Sequence, residues 1–239
     1  FSEEIQELTG HTSLYSMGND VADINNDGLP DIMNLDMVAS DIYGVKTSMS
    51  AMNPQQFGQL VEEGQHRQYM YNSLLLNNGS IESKDLLTFS NIAQMCGIAS
   101  TDWSWAPLLF DFDNDGWKDI FISNGIKRNI RNNDAVKQVN QLRALMPQLN
   151  SPNEKATLIQ QMLNSFPYHR KPNCFFRNTH SLSFEDIGTS IGVDSMPTAS
   201  NGAAYADLDQ DGDLDLVINN VDQAAFIYKN NSQDNGQTH

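Results

Sequence analysis

The chain has 239 residues, with 30 Asp and Glu against 14 Lys and Arg, a net charge of −16 and a pI near 4.4. That balance argues against a grip on nucleic-acid phosphates or on anionic membranes, and no apolar run approaches the eighteen or more residues of a membrane span. The length suits one sizeable core or two small ones.

The first feature is "FSEEIQELTG", a phenylalanine followed by a turn that ends on glycine. Next comes "ADINNDGLPD", residues 22–31, where Asp23, Asn25 and Asp27 alternate ahead of Gly28. Alternating oxygens on a tightly curled backbone converge on one point, and glycine permits the sharp turn. Such a cup suits a hard cation that takes six to eight oxygens, for which Ca²⁺ is the usual occupant. Asp31, in ninth place, can close the shell, with the Leu29 carbonyl as backbone ligand. An EF-hand would need a glutamate at position twelve, where Asn34 stands, and helices on both flanks.

After the short apolar run "DIMN" comes an insertion at about 37–71. It holds "NPQQFGQLVEEG", in which Asn53 can cap a helix that Pro54 opens. The run "SLLLNNG" and the segment "FSNIAQMCGI" follow, then a second acidic loop, "DFDNDGWKD". There Asp111, Asp113, Asp115 and Asp119 repeat the spacing, and Trp117 takes the place of Leu29. "DIFISN" leads into a second insertion at about 127–171. In it Val136, Val139, Leu142, Leu145 and Met146 recur at helical spacing until Pro147 bends or ends the helix. A second helix is predicted behind Ser151 and Glu154, which form a capping box around Pro152. Its apolar face is Leu158, Ile159, Met162, Leu163 and Phe166. "NCFFRN", "FEDIGTSIGV" and a third loop, "DLDQDGDLD", then bring Asp207, Asp209, Asp211 and Asp215, with Asp213 in the seventh place. "DLVINN" and "AFIYKNN" close the series.

Three copies of one nine-residue template are hard to explain as surface polarity. The search for a repeated unit succeeds: the three phenylalanine segments begin 22, 22 and 23 residues ahead of Asp23, Asp111 and Asp207. Each loop is followed by an apolar run ending in asparagine. The unit reads strand, acidic loop, strand, connection, strand, turn, and then the phenylalanine strand of the following unit. Runs such as "DIFIS" are too short for helices and fit strands buried on both faces.

The template DxDxDGxxD between two strands resembles the FG-GAP or VCBS repeat of integrin α-chain heads and bacterial surface proteins. The run "STDWSWAPLLFDFDNDGWKDIFISNG" is similar to VCBS-repeat proteins of Bacteroidetes, relatives of the cartilage acidic protein family. The likeness covers nearly the whole chain. It implies an all-β fold, a β-propeller of four-stranded blades with a Ca²⁺ loop at each blade edge. About three blades are visible, so the chain reads as a segment of a longer protein. Asn25 departs from the all-aspartate pattern and costs its site one charge. Three bound Ca²⁺ would bring the net charge to about −10.

The expectation for function is a non-catalytic, Ca²⁺-stabilised module that binds protein or glycan outside the cell or at its surface, where calcium is millimolar. Two alternatives stand: a propeller-based polysaccharide-degrading enzyme, or a subunit of an outer-membrane uptake or secretion complex. Trp103 and Trp105 read as packing between blades, with an aromatic platform for sugar as the sharper view. Met49 and Met52 would add to a sticky surface. "GTSIG" matches a nucleophile elbow at Ser190 but aligns with the turn "AQMCG" of the preceding repeat. His66, His169 and His180 show no metal spacing and read as surface-loop residues. Lys127, Arg128 and Arg131 read as a solvated face, and "DSM" at Ser195 is a weak glycosylation match. Cys96 and Cys174 occupy different positions of the repeat, which favours two free thiols over a disulfide.

Overall fold

The computed structural model describes residues 2–48, 54–81 and 86–232. Its framework is mainly β, in three antiparallel sheets whose strands follow chain order. Sheet one contains β1 (Asn19–Ala22), β2 (Asp31–Asn34), β3 (Ser73–Ile81) and β4 (Leu86–Asn91). Sheet two contains β5 (Asp102–Phe110), β6 (Asp119–Asn124), β7 (Cys174–Asn178) and β8 (Phe184–Asp186), and the two-residue strand Met37–Val38 joins its β5 edge. Sheet three has β9 (Ser200–Ala206), β10 (Asp215–Asn220) and β11 (Phe226–Tyr228) among the described residues. The strand–loop–strand–strand order read from the sequence is present in the first two sheets, but the phenylalanine strand assigned to the following unit instead pairs with the third strand of its own sheet, as β4 and β8.

Sheets one and three each lie beside sheet two, β1 against β5 and β9 against β5 and β6. This sandwiching explains the composition of β6, whose six residues are all buried. An apolar layer with Ile24, Met33, Leu74, Ile120 and Ile122 fills the space between sheets one and two. A second, with Phe110, Phe121, Phe175, Leu216 and Ile218, joins sheets two and three. Each such side chain contributes about 1.5–3 kcal/mol on burial.

Two glycines set how closely the sheets approach. A Cβ on Gly18 would sit 2.1 Å from the Trp105 carbonyl oxygen, and one on Gly125 would sit 2.2 Å from that of Thr198. Trp103 is buried and the Trp105 indole N–H donates to the Gly125 carbonyl at 2.7 Å, so both tryptophans serve packing.

The helices are α1 (Ile5–Thr9), α2 (Ile42–Ser48), α3 (Pro54–Glu62), α4 (Asn133–Arg143), α5 (Pro152–Ser165) and α6 (Gly188–Ile191). Pro54 opens α3 as expected; Asn53, Met49 and Met52 lie outside the described residues. Helix α4 stops at Arg143, short of Leu145 and Met146, because Pro147 sits in a separate 3-10 turn, Met146–Gln148. Asn132 supplies its cap, accepting from the Ala135 N–H at 2.9 Å. Pro152 takes the first turn of α5, but the Ser151 side chain makes no cap hydrogen bond, so the capping box is not formed. Only Leu158 of the predicted α5 face is buried, while Ile159 and Leu163 are exposed. Short strands at Ile126–Arg128 and Tyr168–His169 pair antiparallel and close the neck of this insertion.

Candidate metal centres

All three acidic loops join the first and second strands of their sheets, with one hydrogen-bond pattern. In the second, the Asp111 carboxylate accepts from the N–H of Asp115 at 3.0 Å and of Gly116 at 2.8 Å. Asp23 receives Asp27 and Gly28 in the same way, at 3.1 and 2.7 Å, and Asp207 receives Asp211 and Gly212, both at 3.2 Å. The seventh-position N–H of Leu29, Trp117 and Asp213 donates back to the fifth-position carboxylate of Asp27, Asp115 and Asp211. Closing so tight a curl forces left-handed backbone at two places. Asn26, Asn114 and Gln210 take φ of 56°, 58° and 64°, and the following glycines 87°, 89° and 95°. Asparagine tolerates that region better than most residues, and glycine does so at no steric cost.

Two of the three loops bring together the first three of their nominated side chains; the first loop and the ninth-position Asp31, Asp119 and Asp215 are not part of such a cluster among the described residues. Among the described residues, carboxylate oxygens of Asp111, Asp113 and Asp115 lie within 4.8 Å of one another, and so do those of Asp207, Asp209 and Asp211. In the first loop the Asn25 amide donates to Asp27 at 2.9 Å, so an amide takes the place of one carboxylate there. Asp213 is buried, and its carboxylate accepts from Asn114 at 2.7 Å. Asn26 likewise donates to the Gly116 carbonyl at 3.0 Å, so each loop is tied to the next.

The ninth-position aspartates are buried at the base of the loops. One oxygen of each carboxylate accepts from the second-position N–H, of Ile24, Phe112 or Leu208, at 2.9–3.1 Å. The other accepts at 2.8 Å from the N–H of an asparagine within, at the end of or just past the third strand, Asn77, Asn178 or Asn230 respectively. This accounts for the asparagines that close each apolar run. Their amides extend the linkage: Asn178 donates to the Ile24 carbonyl at 2.8 Å and Asn230 to that of Phe112 at 2.6 Å, each reaching the loop of the preceding sheet.

These carboxylates crowd one another. Burial pushes Asp119 up to about 7 against two backbone N–H bonds that favour its charge, with the charges of Asp113 and Asp115 adding to the rise. Burial, then the neighbouring carboxylates Asp115 and Asp111, raises Asp113 as well, and burial raises Asp31. The Asp113 Oδ1 atom is buried and accepts no hydrogen bond from the protein. An orphaned anionic oxygen beside two further carboxylates fits a divalent cation, whose charge would reverse the repulsion. Two basic side chains already lean on the cups. His180 Nε2 lies 2.6 Å from Asp115, its ring stacked on Trp117 at 4.8 Å. Lys229 bridges Asp209 and Asp211. His180 is the exposed loop residue the sequence suggested, and it also touches a candidate ligand.

His169 departs from the surface-loop expectation, lying in a short strand with its side chain largely covered. Its Nε2 lies 2.6 Å from the carboxylate of Asp102, which also receives Lys171 Nζ at 2.7 Å. Asp102 is buried and has a φ of 79°, rare for any residue but glycine. Burial works against its charge, but the hydrogen bonds from His169 and Lys171 outweigh it and hold the carboxyl well below the usual range. The group borders a cavity of about 20 Å³, room for about one water. No local pattern links residues 102, 169 and 171; only the closed neck of the insertion brings them together.

The remaining nominated residues are structural. Ser190 lies in the four-residue α6, its hydroxyl donating to the Ile187 carbonyl. Arg128 covers the Tyr168 ring and Arg131 that of Tyr15, while Lys127 pairs with Asp222 at 2.5 Å, so the basic cluster is engaged rather than merely solvated. Cys96 and Cys174 are free thiols. Compared with known proteins, the chain matches no family model and no curated protein.

Proposed function

We propose that the chain is a calcium-stabilised, non-catalytic β-propeller module of the FG-GAP/VCBS kind, which presents a binding surface outside the cell. The observation that carries the metal reading is the clustering of Asp111, Asp113 and Asp115 around a buried oxygen without a protein partner. Recurrence of that cup in a second sheet supports it. The propeller reading is supported by consecutive antiparallel sheets that pack through their first strands. Asp111, Asp113, Asp115 and Asp119 would hold one ion, and Asp207, Asp209, Asp211 and Asp215 another. Asp23, Asn25, Asp27 and Asp31 would hold a weaker third, for want of one charge. A bound cation neutralises the crowded carboxylates and fixes the crossing from first to second strand.

Calorimetric titration with Ca²⁺ tests this reading. The expected result is two to three sites with millimolar or tighter affinity, and a Tm that rises with Ca²⁺ and falls with chelator. An unchanged melt and no binding heat would exclude it. Protein or glycan is the partner class this reading favours, and arrays of both, probed with and without calcium, would identify the ligand.

A further inference from the structure

The second insertion breaks the charge pattern of the chain. Residues 127–171 hold eight of the 14 Lys and Arg but only two of the 30 Asp and Glu, Asp134 and Glu154. The insertion therefore carries +6 and the remainder −22. Arginines in so acidic a chain should find carboxylates, yet Arg128, Arg131, Arg143 and Arg170 pair with none among the described residues. Arg177, just outside the insertion, does pair, with Glu185 at 2.5 Å.

Two of the unpaired arginines meet at the neck. The guanidinium carbons of Arg128 and Arg170 stand 4.5 and 5.7 Å from the centre of the Tyr168 ring, and Tyr168 is 61 % exposed. Arg128 is fixed in place, donating to the Phe166 carbonyl at 2.7 Å and to Asn164 Oδ1 at 3.3 Å. Arg170 is exposed, and the ring is the one contact of its side chain among the described residues. Along α5, Lys155, Ile159 and Leu163 follow at four-residue spacing and so share a face. Lys155 is exposed, and Ile159 and Leu163 are 46 % and 50 % exposed. This face leads from a cation at the tip of the helix pair, across two aliphatic side chains, toward the arginine-flanked ring, about 15–20 Å in all.

A slender anion fits such a face best. A duplex or a membrane surface is broad and would also meet the −22 remainder. A stable protein interface buries about 800 Å² per partner around an apolar core, more than two half-exposed aliphatic side chains offer. A uronate chain is narrow, its planar carboxylates match guanidinium forks, and its sugar rings have apolar faces for Tyr168, Ile159 and Leu163. We propose that this face of the second insertion binds a carboxylated polysaccharide, with Arg128 and Arg170 taking a carboxylate and Tyr168 packing on a sugar ring. The inference rests on the reading of the chain as a binding module and not on the calcium sites.

Fluorescence anisotropy of a labelled oligogalacturonate tests it, in chelator, so that calcium cannot bridge protein and glycan, and at a temperature below the melt. The expected result is binding that weakens as salt is raised. Arg170→Ala and Tyr168→Ala should each weaken it about tenfold at the Tm of the parent, and polyglutamate of equal charge should bind at least about tenfold more weakly. No binding of the oligogalacturonate, equal binding of polyglutamate, or binding unchanged by Arg170→Glu would each overturn the proposal. Shortening of the bound oligosaccharide on long incubation would support the face and overturn the non-catalytic reading instead.

Discussion

Asp113 and Asp102 are both buried carboxylates, but opposite neighbours give them opposite roles. Asp113 faces other carboxylates and keeps an unsatisfied oxygen, so its charge is costly until a cation arrives. Asp113→Asn should therefore abolish one calcium site in a calorimetric titration. In chelator, the same variant should melt no lower than the parent, because a repulsive charge has gone. Asp102 faces His169 and Lys171 and is stabilised as the anion. Its carboxyl is held below the unfolded value of 3.8, so its contribution is present above about pH 4 and lost as the pH falls toward the folded value. Asp102→Asn should cost about 3 kcal/mol at pH 7, the penalty for breaking a buried pair. Denaturant melts should show that difference shrinking at pH 3 and below.

Among the elements, the joints between sheets carry more than the strands do. Asn178 binds the Asp119 carboxylate through its N–H and the Ile24 and Lys118 carbonyls through its amide, the latter at 3.0 Å, so one side chain ties sheet two to the loop of sheet one. Asn178→Ala leaves buried carbonyls unpartnered and should lower stability by about 2–3 kcal/mol, measured by urea unfolding. Gly125 is constrained twice, by a φ of 104° and by the Thr198 carbonyl 2.2 Å from any Cβ. Gly125→Ala should cost at least about 2 kcal/mol, more than the usual backbone penalty, because the neighbouring strand must move. Helices α4 and α5 are attached differently, through a neck of paired short strands and a few buried residues, and bear little on the sheets.

Across the molecule, the loops form a connected series. Asn26 reaches Gly116, Asn114 reaches Asp213, and Asn178 and Asn230 reach back from the sheet behind. Ions bound in these loops would brace the sheets against one another as well as their own turns. A site filled at ten times its Kd contributes about 1.4 kcal/mol by mass action. For a chain of this size two or three such sites should raise Tm by roughly 6–15 °C. Differential scanning calorimetry in calcium and in chelator reads this directly, and magnesium should give a smaller rise because it prefers stricter octahedral geometry.

The sequence by itself determined the strands, the position of the acidic loops between them and the two aspartate triplets that cluster, because short apolar runs, turn glycines and alternating carboxylates are local properties written within nine to thirty residues. It placed the phenylalanine strand in the wrong unit, since strand pairing is not local. It also located the second insertion's helices, though it misjudged where α4 ends and how α5 is capped, since caps depend on a single rotamer. Tertiary structure alone decided that His169 and Lys171 hold Asp102, that His180 and Lys229 lean on the cups, and that terminal asparagines bind the neighbouring loop. Those partners stand some 20 to 154 residues apart in the chain, and three different things bring them within hydrogen-bond reach: the neck of the insertion for Asp102, the pairing of strands within a sheet for His180 and Lys229, and the packing of one sheet on the next for the asparagines.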